Sequence, residues 1–175
     1  MAISPGRYSL GPESGTLSVK TTRTGAAAKA GHDLVIEVTA WEATLEVGDG
    51  TSIALAADSR SLRVREGTGG MQKLGDDDKA NIEQTIDDEI LKGQPIEFRS
   101  TEVTTTEAGA HVRGALTLAG MTSPVAFDVA VGPEGSLLAS AVITQSDWGI
   151  EPYSTLFGTL RVGDEVEVVL DAELS

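Results

Sequence analysis

The stretch Val125-Ala126-Phe127-Asp128-Val129-Ala130-Val131 puts its bulky apolar residues at every second position. Successive side chains of a strand point to opposite faces, so this run reads as a strand that buries Val125, Phe127, Val129 and Val131 on one side. The same period of two recurs in Leu17, Val19, Thr21, in Ile53, Leu55, Ala57 and in Val166, Val168, Leu170. Turn-forming residues fall between these runs, at Gly48-Asp49-Gly50, Ala108-Gly109-Ala110, Gly120 to Pro124, Gly132-Pro133-Glu134-Gly135 and Gly163-Asp164. Short connections join antiparallel neighbours, which predicts an all-β, up-and-down antiparallel sheet spanning residues 1–175 as a single domain.

Two segments depart from simple alternation. From Leu34 to Val47 the apolar phase switches: Leu34, Ile36 and Val38 share one parity, and Trp41, Ala43, Leu45 and Val47 the other. One extra residue near Thr39 to Trp41, a β-bulge, would restore the face. Between Asp76 and Leu91, Ile82, Ile86 and Ile90 repeat every fourth position, the mark of an amphipathic helix over residues 76–91. Asp76, Asp77 and Asp78 offer N-caps and complement the helix dipole, and Gly93 and Pro95 end the segment.

Composition narrows the function. With 13 basic against 27 acidic residues the chain carries a net charge of −14, and nucleic acid or an anionic membrane surface would repel it. It contains no cysteine and two histidines, His32 and His111, so neither a disulfide framework nor a metal or cofactor site is expected. No run approaches the ~20 apolar residues of a membrane-spanning helix. The first thirty residues, interrupted by Lys20 and Arg23, lack a secretory apolar core, which gives cytoplasmic residence as the expectation.

Three clusters could carry chemistry. His32 adjoins Asp33, and Asp147 and Ser146 lie elsewhere, but neighbours on a strand face opposite ways and Asp33 is badly placed to orient His32. No catalytic residue is assigned. Arg60, Arg63 and Arg65 concentrate positive charge in an acidic chain, and guanidinium forks fit phosphate and carboxylate. The segment Gln145 to Tyr153 holds Trp148 and Tyr153 in a chain that is 4% aromatic, and could line a ligand entrance or cap the core.

Several ordered motifs carry a resemblance. They are Gly6-Arg7-Tyr8-Ser9-Leu10, Pro95-Ile96-Glu97-Phe98 followed by Arg99-Ser100-Thr101-Glu102-Val103, the run from Val112 to Val125, and Ser146-Asp147-Trp148-Gly149-Ile150. In these the chain resembles the YceI-like family of polyisoprenoid- or lipid-binding barrels. The family's pattern differs at Ala119, where many relatives carry histidine, and around Gly31-His32-Asp33-Leu34. The resemblance implies an extended, lipocalin-like antiparallel barrel, often dimeric, that holds an isoprenoid or acyl chain. A barrel of about eight strands is just wide enough for one slender guest.

The expected function is therefore sequestration or transport of a hydrophobic small molecule, a polyisoprenoid or fatty-acid derivative, by a homodimer without cofactor. The expected liners are Ile36, Val38, Trp41, Phe98, Leu116, Leu118, Phe127, Val129, Ile143, Trp148 and Leu156, with Arg60, Arg63 and Arg65 as a headgroup clamp. Two alternatives stand beside it. One is a rigid dimeric scaffold filled by its own side chains, disfavoured by small residues such as Ala115, Ala126, Ala130, Ala139 and Ala141. The other is an enzyme acting on a lipid or small ester, with His32 as general base.

Overall fold

A computed structural model describes residues 3–25, 33–68, 74–155 and 160–174. In chain order the first half gives β1 (Gly6–Leu10), β2 (Gly15–Thr21), β3 (Arg23–Thr24), β4 (Asp33–Val38), β5 (Trp41–Val47), β6 (Ser52–Ala57), β7 (Leu62–Thr68) and the helix α1 (Asp76–Thr85). The second half gives β8 (Ile96–Thr105), β9 (Gly109–Leu118), β10 (Met121–Val131), β11 (Ser136–Thr144), β12 (Ser154–Thr155), β13 (Leu160–Val162) and β14 (Glu165–Glu173). Eleven strands form one antiparallel sheet in the order β1-β5-β6-β8-β9-β10-β11-β14-β2-β4-β7, and β12-β13-β3 make a small second sheet. The long sheet curls into a half-barrel around one cavity. β5 and β6 pair as consecutive strands and β8 to β11 run as a consecutive meander, while β14 returns to pair with β2, near the start of the chain.

The strand count exceeds the expected eight partly because the 34–47 segment is not one bulged strand. Its phase switch is a corner. β4 pairs with β2 and β7, whereas β5 pairs with β1 and β6. Between them the Thr39 N–H donates to the Ser61 carbonyl and the Asp58 N–H to the Ala40 carbonyl, each at 2.9 Å, and the Ala40 N–H meets Ser61 Oγ at 3.0 Å. Ser61, itself buried, thus satisfies backbone groups that a broken ladder would orphan. Bulges occur elsewhere, in the β4–β7 pair after Val35 and in the β8–β9 pair between Ser100 and Glu102. The second shifts β8 by one residue, so Ile96 and Phe98 and then Val103 and Thr105 face the same interior.

The helix expected over 76–91 runs as α1 and continues as a π-helical turn, Ile86–Ile90. Its N-cap is Gly75, not one of the three aspartates; Asp78 reaches back and accepts from the Gly75 N–H at 3.1 Å. Lys92 and Gly93, at φ 55° and 67°, turn the chain out of the helix. The helix packs on β7, one of the two edges of the long sheet. There Glu83 accepts the Val64 N–H at 2.8 Å, and Arg60 and Asp87 form an ion pair at 3.5 Å. The open edge is thereby covered. No helix among the described residues is long and apolar enough to cross a membrane.

Candidate functional site: an apolar cavity in the half-barrel

Inward-facing residues of nearly every strand of the long sheet, with Ile82, Ile86, Ile90 and Leu91 from the helical segment, enclose about 1000 Å³. All the alternating sets read from the sequence meet here: Leu17, Val19 and Thr21; Ile53, Leu55 and Ala57; Val125, Phe127, Val129 and Val131; Val166, Val168 and Leu170. Many of these apolar side chains are only half-buried, because they face a cavity and not a packed neighbour. Other interior residues are buried: Val112 is 0% exposed, and Leu10, Leu17, Ile36, Val38 and Trp41 belong to the main core cluster. The rings of Phe98 and Phe127 lie tilted at 56° with centroids 5.4 Å apart, within the range of favourable aromatic pairs.

Of the expected liners, Ile36, Val38, Phe98, Leu116, Leu118, Phe127, Val129 and Ile143 do face the cavity. Trp41 and Trp148 are buried at 5% and 3% but are absent from its lining. Trp148 packs in a smaller core cluster against Ile143 and Ile150, its indole N–H donating to the Leu116 carbonyl at 2.7 Å. The Gln145 to Tyr153 segment therefore divides its roles, Trp148 capping the core while Gln145, Ile150 and Tyr153 reach the lining. Leu156 and His32 lie outside the described residues. Among the small residues, Ala139 and Ala141 face the cavity, whereas Ala126 and Ala130 are exposed on the outer surface.

Arg60, Arg63 and Arg65 are exposed and do not line the cavity. Arg63 donates to the carbonyls of Arg60 and Leu62, at 3.1 and 2.8 Å, and Arg65 pairs with Glu37 at 2.9 Å. The described lining residues that carry charge are Arg23 and Glu107, neither of which the sequence reading placed there. A signal existed for Arg23: it continues the Leu17, Val19, Thr21 alternation at the next step of two. His111, half-buried, pairs with the exposed Asp128 at 2.7 Å across β9 and β10, both partners outside the lining. Asp147 is exposed, and its carbonyl accepts from Ser123 Oγ at 3.0 Å. No group of three or more His, Asp or Glu residues among the described ones is arranged to hold a metal ion.

An antiparallel half-barrel wrapped around a deep apolar cavity defines the lipocalin-like class of folds. Within that class the chain belongs to the YceI-like family, whose domain model matches residues 8–174. Solved structures of the same fold include Burkholderia cenocepacia BcnA, with 16% identity, TM-score 0.59, and coverage of 89% of this chain and 94% of that one. The Campylobacter jejuni YCEI protein, which crystallizes with large solvent channels, has 13% identity and TM-score 0.57, covering 80% of this chain and 84% of that one. A mutant of that protein carrying a monobromobimane guest gives TM-score 0.60 at 12% identity with the same coverage. No curated protein sequence matches the chain.

Proposed function

We propose that this protein binds and carries an apolar, lipid-like molecule, a polyisoprenoid or fatty-acyl chain, inside the half-barrel. The observation that supports this is the cavity itself: about 1000 Å³, walled almost wholly by aliphatic and aromatic side chains, at the upper end of the range for small-molecule sites. Burying about ten methylenes there, at about 0.8 kcal/mol each, supplies roughly 8 kcal/mol, the scale of micromolar affinity before ordering costs. A scaffold filled by its own side chains would close such a space. Mass spectrometry of organic extracts from freshly purified protein should find a lipid at near-stoichiometric amount, or else the protein should take up added prenyl or acyl chains; failure of both rejects the reading. A homodimer is part of the same proposal. The exposed Leu138 and Val142 on the outer face of β11 are where its contact would be sought, by sedimentation of wild type against Val142→Glu.

A further inference from the structure

The two charged residues of the described lining stand at opposite ends of the cavity. Ala108, next to Glu107, accepts from the Val131 N–H; Val131 pairs with Leu137, Leu137 with Ala172, and Ala172 with Gly15. That register sets Glu107 at the barrel end where β2 begins. Arg23 lies past the far end of β2, roughly 25 Å away along extended chain. Leu17, Val19, Thr21 and Arg23 follow at steps of two on one wall, so this wall grades from apolar to hydroxyl to guanidinium toward that end.

The surroundings of Arg23 are built from several elements. Val162 pairs with it in the small sheet and donates its N–H to the Tyr153 carbonyl at 2.9 Å. The Gly163 N–H reaches the Thr22 carbonyl at 2.7 Å, and Gln145 Nε2 donates to the Gly163 carbonyl at 3.0 Å. Tyr153, Gln145 and Val162 therefore share the Arg23 end of the lining. Arg23 is half-buried, and its Nη1 donates to the Thr68 carbonyl at 3.0 Å, which orients the guanidinium. Asp33 Oδ1 accepts the Arg23 backbone N–H at 2.9 Å.

Resting on the cavity-binding reading, we propose that the guest is an amphiphile with an anionic headgroup, a carboxylate or phosphate, and that Arg23 is the specificity-determining residue for it. The headgroup sits at the mouth formed with Tyr153 and Gln145, and the chain runs inward past Val129 toward Ala110. A body at −14 repels anions at long range, so only a local cation reverses the field where such a headgroup docks. Arginine's fork makes charge-assisted paired hydrogen bonds to either group.

The test titrates the full chain with a saturated fatty acid, an alkyl phosphate and an alcohol of equal chain length, the first two separating carboxylate from phosphate. In Arg23→Gln the affinity for the preferred anion, taken relative to the alcohol, should fall about tenfold, the scale of one charged hydrogen-bonded contact. Arg23→Lys should recover part of that ratio, and measurable alcohol binding shows that each variant is folded. An unchanged ratio in Arg23→Gln, or a loss that follows Arg63→Gln with Arg65→Gln instead, overturns the assignment. If wild type binds none of the three ligands, the cavity reading itself fails.

Discussion

Ala119 and Gly120 join β9 to β10 in a two-residue turn, at φ 50° and 80°, directly between the paired Leu118 and Met121. Such a hairpin favours residues that tolerate positive φ at both positions, and an alanine there is strained. Ala119→Asn should therefore stabilise the protein by about 1 kcal/mol, read as a higher urea midpoint with an unchanged slope. Gly114 is constrained differently. A Cβ added there would press into the Arg99 carbonyl and the Phe98 ring, so the close strand approach depends on its absence. Gly114→Ala should lower stability by about 1–3 kcal/mol and reduce the melting temperature, because overpacking displaces the Phe98–Phe127 pair.

Among the elements, the helical segment does what a missing strand would do. β7 ends the long sheet, and its Val64 N–H, on a residue only 5% exposed, is satisfied by Glu83 from α1. Glu83→Ala should cost about 1–3 kcal/mol and raise hydrogen exchange at the Val64 amide, while Glu83→Gln, which keeps an acceptor, should recover most of the protection. The segment's existence was legible from Ile82, Ile86 and Ile90, and so was its end at Gly93. Its π-helical turn and its Gly75 cap were not, since neither changes the spacing of apolar residues over one or two turns. The 39–41 break shows the same limit: parity reports that the buried face has switched, and a bulge and a corner switch it equally. Only the partners of β4 and β5 distinguish them.

For the molecule as a whole, cavity volume is the property on which function turns. Ala141 faces the cavity from β11, opposite Val168 of β14, and a larger side chain there has room to project inward. Ala141→Phe should weaken binding of a long-chain lipid about tenfold, the equivalent of displacing about two methylenes at about 0.8 kcal/mol each. Fluorescence or calorimetric titration checks this, and the melting temperature should not fall, because the ring adds apolar contact instead of crowding a filled core.

What the sequence determined by itself is the set of faces. Period-two alternation assigned Leu17, Val19, Ile53, Leu55, Val125, Phe127, Val166 and Val168 to one interior, and each of them lies there, because the side-chain period of a strand is local geometry that long-range contacts cannot change. Tertiary structure alone decided how far apart those faces stand. Whether opposed apolar residues interlock as core or stand off across a cavity, as Phe127 and Val129 do, depends on strand order and curvature summed over eleven strands. The same sum kept Trp41 and Trp148 out of the cavity lining and left Arg60, Arg63 and Arg65 outside it while bringing Arg23 into it. Charge and aromaticity are legible residue by residue; position relative to a closed surface is a property of contacts between residues distant in the chain.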